Sequence, residues 1–587
     1  MEQPLSVAPP LASPPVCERP RKAFSARRWQ LLLLAGWLFQ AGLRAWLSHA
    51  QTVPLVNPDE SAYLIGAQVL AGGPAANFGH STLYPSGYPL LLVPVFWITH
   101  NPTVAYHAVL LINAMVSALI MPLGYVGARK LGLSRRLAYL TAMVLALLPA
   151  GLMYSEYALA DAIFPVLVLA WLLTVHSWMT SESVRGRYAA AAGSGLLTGY
   201  AYAVHARGIV ILGFYLVLCV ILILTRLVPR GTIVAAMAGL APAAGAAWLL
   251  NRVLLRDMYP EGPRSMSSEV EDRLQNTHQT LLVFEMALGE MWRLMLDSWG
   301  LAAIGLIATL FVMVRPGTSL PTRLMAGLTV LVTAGIDIST PLALPSDQGP
   351  VWASGRYLDC MICVFFLIGC VVLLRASRRM LLACALCVVP PTLLLAVIVD
   401  WYTGHTRAIP ITGFGMAFNF AEPAILTDNW KSANIFLATA VALVLLAVWV
   451  AVMTLGIRRR LAVGGLIVGL AAVSLFADVQ INDHVAEPYS TAQRADVLGL
   501  TSILKPGEPI GVSLSVGYYN WMPQDYEIWW TAPVFFDQTD PPPPGISVVE
   551  VPWSPGQAED ATWPTAPQGW RIAASDQSAG WVAWEKS

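Results

Sequence analysis

Ionisable residues are scarce in this chain, and several of them fall in short motifs with chemical potential. Asp59 and Glu60 are adjacent in VNPDESAYLIG (56–66), behind a proline and beside small residues and Tyr63. Glu156 and Asp161 share YSEYALAD (154–161). Arg207 follows His205 in VHARGIV (204–210), and Arg356 precedes Tyr357 in WASGRYLD (352–359). A fixed carboxylate takes the proton of an attacking hydroxyl or holds a divalent cation. A guanidinium grips phosphate oxygens through its planar fork. These residue types suit transfer of a group from a phosphate to a hydroxyl. Asp59 and Glu60 are the expected catalytic residues, with Asp59 as base, and Arg207 and Arg356 the expected grips on a donor phosphate. Tyr63, Tyr84, Glu156, Asp161, His205 and Tyr357 are the expected supporting residues. The plainer alternatives are solvated loop acids and arginines that only reach for the membrane interface.

Other chemistries lack a signature. The nine histidines, among them His80, His205 and His278, match no zinc spacing such as HExxH. There is no P-loop, GxSxG or dinucleotide fingerprint, which argues against ATP-driven chemistry. All seven cysteines except Cys17 lie within or at the ends of apolar segments. The pairs Cys360/Cys363 and Cys384/Cys387 are one helical turn apart, and read as small hydrophobes rather than a four-cysteine metal site. A net charge of zero suggests no nucleic-acid partner.

The elements that must position these residues are membrane helices. Only 12% of the 587 residues are charged and 56% are hydrophobic, whereas about a quarter of a soluble domain is charged. The apolar residues come in blocks of about 18 to 25, the length that crosses a bilayer as a helix. Thirteen spans are expected, at 29–47, 104–128, 136–153, 161–179, 188–205, 208–225, 231–254, 297–314, 323–340, 357–374, 380–402, 433–456 and 461–479. The fold class is therefore all-α and polytopic, with a large first outer loop. Residues 1–28 read as a disordered cytosolic tail, 29–480 as the membrane module, and 481–587 as an outer domain.

Positive charge sets the orientation. Arg19, Arg21, Lys22, Arg27 and Arg28 precede the first span, and Arg129, Lys130, Arg135 and Arg136 fill the second inner turn. Arg185, Arg187, Arg226, Arg230, Arg315 and Arg323 occupy the next inner turns, and Arg375, Arg378, Arg379, Arg458, Arg459 and Arg460 the last two. These are more than half of the 35 Lys and Arg residues, and 48–103 has none. The N-terminus is expected inside and every long loop outside. The stretch LYPSGYPLLLVPVFWI (83–98) is too short to cross and carries prolines, so it reads as a re-entrant or interfacial piece. In the outer loop 256–280, the second half reads as a surface helix. The last segment is proline-rich, holds eight of the 21 tryptophans and contains no cysteine, so no disulfide framework is expected there. TAQRADVLGLTSILK has helical spacing, while PIGVSLSVGYYNW and GISVVEVPW read as strands. A small mixed α/β domain follows.

A sugar donor for an outer-face enzyme must already be outside, and a polyprenyl-phosphate-linked sugar meets that condition. NPDESAYLIGAQVLAGG followed by LYPSGYPLLLVPVF resembles the first outer loop of GT-C fold membrane glycosyltransferases, the branch of protein mannosyltransferases and lipid A aminoarabinose transferases. YSEYALADAIFPVLVLAWLL is similar to that family's third-to-fourth span region, and GRYLD to its arginine–tyrosine element. The serine of YPSGYP stands where proline is common in the family. The resemblance spans roughly 29–480. It implies Asp59 as the catalytic carboxylate, a polyprenyl-phosphate sugar as donor, and often a divalent metal. Expected partners are that donor, membrane lipids and a glycan, lipid or protein acceptor in the cell envelope. Composition rich in Ala, Arg and Pro fits a GC-rich, actinobacterial genome. Two other classes fit the same residues: a transporter or lipid flippase, for which Gly193–Gly195 and the prolines within spans would be helix breaks, and a non-catalytic envelope assembly protein that binds glycan through its Trp-rich domain.

Overall fold

The computed structural model describes residues 26–78, 81–260, 262–344, 353–404, 406–455, 458–491, 499–505, 507–516, 518–528, 530–531, 533–577 and 579–587. The expectations for residues 1–25, for His80 and for residues 492–498 of TAQRADVLGLTSILK lie outside these residues, and the described end of that stretch forms only a short turn at Leu500–Ser502.

Every one of the thirteen apolar segments falls on a helix or a helix pair. Among the described residues, eight helices are long and apolar enough to cross a membrane, or up to ten if each of two bent pairs is one span. This is a multi-pass membrane protein. Helix α1 (Ala26–Leu47) leads by a loop to α2 (Asp59–Leu70), which starts with the two acids, and then to the short apolar α3 (Gly87–Ile98). The α3 stretch is the piece judged too short to span. Helix α4 (Pro102–Ser117) starts where the Asn101 side chain accepts from the Val104 amide at 3.0 Å and Pro102 fills the first helical position. It continues as α5 (Ile120–Lys130), one rod of 29 residues.

Helix α6 (Arg135–Leu145) meets α7 (Pro149–Leu152) and the turn to Glu156 at a 70° bend, where Pro149 has no amide hydrogen to carry the ladder. After a short turn at 160–162 come α8 (Phe164–Thr180), α9 (Val184–Val204), α10 (Gly208–Thr225) and α11 (Arg230–Met258). Helices α9 and α11 touch backbone to backbone. A Cβ on Gly195 would lie 1.9 Å from the Ala236 carbonyl oxygen, and one on Gly239 would lie 2.1 Å from that of Ala192. Small residues at such a seam let two membrane helices approach closely. Gly195 thus belongs to continuous helix packing, not to the helix break that a transporter reading needs.

Then follow the surface helix α12 (Met266–Gln275), as expected, and α13 (Thr277–Leu296), which hydropathy missed. Helix α13 turns by 111° into α14 (Leu301–Val314) at Trp299 and Gly300, both with positive φ. Helices α15 (Leu320–Ala343), α16 (Asp359–Arg375) and α17 (Arg378–Tyr402) continue the bundle. A small outlier motif follows: strand β1 (Ala408–Pro410), short helices α18 (Gly413–Asn419) and α19 (Ala421–Thr427), and strand β2 (Ser432–Asn434) antiparallel to β1. Helices α20 (Ile435–Thr454) and α21 (Arg459–Ile481) close the bundle, and helical structure runs on from α21 to Thr491, past the boundary placed at 480.

The C-terminal region carries a five-stranded sheet of β3 (Ile510–Ser513), β4 (Pro533–Phe536), β5 (Val548–Pro552), β6 (Trp570–Asp576) and β7 (Trp581–Lys586), ordered β4-β3-β5-β7-β6. Helix α22 (Tyr518–Glu527) is the crossover that a parallel β3–β4 pair requires. Only the first part of PIGVSLSVGYYNW is a strand, because its aromatic end opens α22. Alternation gives the sheet two apolar faces: Ile510, Val512, Val548 and Ala583 on one, Val549, Val551, Val582 and Trp584 on the other.

Candidate active site

Four charged side chains from four distant segments form one ion-pair chain. Arg356 is at its centre. Its Nη1 donates to Asp59 Oδ2 at 2.6 Å, while Nη2 and Nε donate to Asp161 Oδ2 at 2.8 and 3.1 Å. The other oxygen of Asp161 accepts from Arg207 Nη2. The free oxygen of Asp59 accepts from the Tyr84 hydroxyl at 2.6 Å. His205 ends the chain, its Nε2 lying 3.0 Å from Arg207 Nη2. The chain is graded in access. Asp161 and Arg207 side chains are 3% exposed, Arg356 13% and Asp59 22%, so a ligand meets Asp59 and Arg356 first.

Local sequence explains why these groups stay in place. Asp59 opens α2, where a carboxylate faces the positive end of the helix. Tyr63, one turn on, stands edge-on to Tyr84 and Tyr88 with ring centroids 5.2 and 5.1 Å away, which walls the Asp59 side of the site. Arg356 rides on the tight turn Gly355–Tyr357. Arg207 Nη1 donates to the Tyr357 and Arg356 carbonyls at 2.9 and 3.3 Å, which fixes that turn from one side. Gly355 is required by close approach, since a Cβ there would lie 2.5 Å from Asp297 Oδ2. Gly87 of YPSGYP plays a matching part: its Cβ would lie 2.6 Å from the Ala203 carbonyl, next to the His205–Arg207 turn.

Two expected roles change. Glu60, expected beside Asp59 as a catalytic residue, lies outside the ion-pair chain that holds Asp59. It is fully buried and accepts from the Leu55, Val56 and Ala158 amides at 2.7, 2.7 and 2.6 Å and from the Tyr106 hydroxyl at 2.5 Å. Burial pushes its carboxyl up, opposed by the Tyr106 bond and the three amides. Glu60 is a staple for the start of α2, reaching back to residues before the helix as in a capping box. Arg207 does not stand open to a phosphate. Burial works against its charge, but the Asp161 carboxylate more than offsets this and holds its pKa above the ordinary value. Arg356 is likewise held above its ordinary value by Asp161 and Asp59 against the effect of burial. Glu156 also lies outside the chain, buried and accepting from Gln51 at 3.1 Å.

This frame has known counterparts. The crystal structure of ArnT from Cupriavidus metallidurans bound to undecaprenyl phosphate superposes with a TM-score of 0.55, covering 96% of this chain and 99% of that one at 15% identity. The apo structure of the same protein gives 0.53, covering 96% and 98% at 15% identity. Residues 93–245 match the family model of dolichyl-phosphate-mannose-protein mannosyltransferases. The chain has the GT-C fold of the ArnT structures. A comparison with curated proteins finds no match.

Within this GT-C frame, sequence reasoning missed a second anchor. Arg293 on α13 pairs with Asp297 at 3.0 Å and Glu422 at 2.6 Å, donates to the Ala353 carbonyl at 3.2 Å, and donates to the Asn419 carbonyl. Ala353 leads directly into the Gly355–Tyr357 turn, so buried arginines hold that turn from both sides. Glu290, Arg293 and Asp297 recur at i, i+3 and i+7 on one face of α13, a spacing visible in the sequence. Arg44 of α1 is another buried arginine. It is 1% exposed and bonds Gln40 Oε1 and the Ala146 carbonyl, both at 2.8 Å.

Two cavities meet at Asp359, whose Oδ2 accepts from Tyr154 at 2.6 Å. Both are narrow packing gaps: one is lined by Asp161, Arg207, Arg356, Tyr154 and Asp359, the other by Arg44, Ser117 and Asp359. Among the described residues no three His, Cys, Asp or Glu side chains converge as a cation site needs, and both acids of the chain already face guanidinium groups. The donor set therefore does not fit a divalent metal, and no step below runs through one. Cys360, Cys363 and Cys384 are buried single thiols.

Proposed function

We propose that this protein transfers a sugar from a polyprenyl-phosphate carrier to a hydroxyl acceptor, with Asp59 as general base and Arg356 as the cation that receives the leaving phosphate. The observation that carries this reading is the graded ion-pair chain, in which the two members nearest solvent are one carboxylate and one guanidinium 2.6 Å apart. The undecaprenyl phosphate held by the ArnT counterpart supports the choice of donor.

The steps balance as follows. The acceptor hydroxyl attacks the anomeric carbon as the bond from that carbon to the phosphate oxygen breaks. The hydroxyl proton passes to Asp59, and the electron pair leaves on the phosphate, which Arg356 binds. A single displacement inverts the anomeric centre. Donor phosphate competes with Asp59 for Arg356 Nη1, so binding the donor frees the carboxylate to act as a base. Asp161 and Arg207 hold Arg356 in register through this exchange. A preorganised cation at the developing charge is usually the largest catalytic contribution.

The site faces the outer side of the cell membrane, with the N-terminus inside and the C-terminal sheet region outside, a reading supported by the positive-charge pattern. The acceptor belongs to the envelope glycan, lipid or protein classes. The test measures donor binding and turnover separately in proteoliposomes supplied with a polyprenyl-phosphate sugar. Arg356→Ala should weaken donor binding and lower turnover about a hundredfold or more, while Asp59→Asn should keep donor binding. Donor binding unchanged by Arg356→Ala would reject the phosphate role.

A further inference from the structure

The C-terminal region does not sit apart from the membrane module. One face of α22, formed by residues one turn apart, is pressed into it. Met522 is 1% exposed and packs in a cluster with Ala62, Ile65 and Val69 of α2. Tyr526 is fully buried, and its hydroxyl donates to the Pro102 carbonyl at 2.7 Å, at the start of α4. Its ring meets Tyr106 edge-on at 6.4 Å between centroids. Tyr106 in turn donates to Glu60 Oε1, and the other oxygen of Glu60 holds the Leu55 and Val56 amides. A continuous path therefore leads from α22 through Tyr526, Tyr106 and Glu60 to the backbone that presents Asp59.

We propose that α22 is a clamp and Tyr526 a positioning residue for transfer. The C-terminal region thereby serves the reaction itself, by fixing where the α2 carboxylate stands relative to Arg356. Two separate contacts carry this: Met522 bears on the body of α2, and Tyr526 on the staple at its first turn. Their common face at i and i+4 makes α22 a rigid bar across both. The clamp acts on placement and not on affinity, because it touches Asp59 only through the backbone and reaches none of the arginines. Misplacing a reacting group by about an ångström is enough to slow a step about a hundredfold.

The inference rests on Asp59 as the base. The experiment uses the full chain in proteoliposomes with a polyprenyl-phosphate sugar, and compares Tyr526→Ala, Tyr526→Phe and Asp59→Asn at matched amounts of folded protein. Tyr526→Ala should lower kcat about tenfold or more with the donor KM within about twofold, and Tyr526→Phe, which keeps the ring, should recover most of kcat. Met522→Ala should lower kcat in the same way and to a smaller degree. Wild-type kcat in Tyr526→Ala, or equal losses in the Ala and Phe variants, would overturn the clamp. If Asp59→Asn is inactive while Tyr526→Ala is fully active, the clamp fails and the base assignment stands. If Asp59→Asn is active, the site assignment itself has failed.

Discussion

Asp161 is the hinge on which the arrangement turns, and Asp161→Asn probes it with almost no change of shape. The carboxylate receives two charge-assisted bonds from Arg356, at 2.8 and 3.1 Å, and one from Arg207. Such bonds contribute about 1.5–3 kcal/mol each, but the three share one anion and do not add. Arg356 keeps Asp59 at 2.6 Å after the substitution. Arg207 is worse placed, since its 3%-exposed side chain loses its carboxylate and keeps only uncharged company, among it the His205 and Phe164 rings and the two turn carbonyls. Leaving a buried charge without its partner costs about 3–5 kcal/mol. For a chain of 587 residues that is a fall of about 2–4 °C in thermal midpoint, read by differential scanning fluorimetry in detergent. Turnover should fall about tenfold or more, because Arg356 is then held on one side only. Glu156→Gln, outside the chain, is the control for turnover. An Asp161→Asn protein with the wild-type midpoint and wild-type turnover would refute the view that this acid holds both arginines.

Further expectations follow from single contacts. Tyr84→Phe removes the 2.6 Å hydrogen bond to Asp59, worth about 1.5–3 kcal/mol to a charged partner; steady-state kinetics should show kcat reduced about tenfold with the donor KM unchanged, because Tyr84 does not touch the arginines. Gly355→Ala places a methyl 2.5 Å from Asp297 Oδ2, which must push the Arg356 turn outward, so the donor KM should rise severalfold in the same assay. The sheet region should lose stability as pH rises. Burial pushes Glu550 up to about 8 and Glu527 up to about 7. Both folded values exceed the ordinary 4.5, so the folded region favours the protonated forms; the stability is fully present below pH 4.5 and is lost as pH climbs through 7 to 8. At about 1.4 kcal/mol per unit, Glu550 alone carries roughly 5 kcal/mol. Thermal unfolding followed by tryptophan fluorescence should give a higher midpoint at pH 6 than at pH 9, and Glu550→Gln should flatten the difference.

The bundle was legible in the sequence because hydropathy is a local property. A run of apolar residues declares a membrane helix whatever its neighbours are, and all thirteen runs fall on helices. The first loop was legible for the same reason, since α2 and α3 are short segments with their own punctuation. Helix α13 escaped because its apolar residues are interrupted by the part-exposed Glu285 and by Glu290 and Arg293, two charged residues that the bundle buries and a hydropathy window does not allow for. The site was half legible. Asp59, Asp161, Arg207 and Arg356 stood out as isolated charges, and the structure brings them together. Their roles were not legible, because Arg356 and Asp161 are 195 residues apart and nothing local states which oxygen faces which guanidinium. Glu60 shows the limit most clearly. Beside Asp59 in sequence, it turns away from the ion-pair chain, to where three amides and a phenol claim it.

Sugar transfer by this protein depends first on the Asp59 carboxylate. Single-turnover transfer from a polyprenyl-phosphate sugar, with donor prebound to saturation, isolates the chemical step from binding. Asp59→Asn should retain donor and slow that step by about a hundredfold to ten-thousandfold, the usual contribution of a positioned base. An Asp59→Asn protein that transfers sugar at the wild-type single-turnover rate would contradict the account directly.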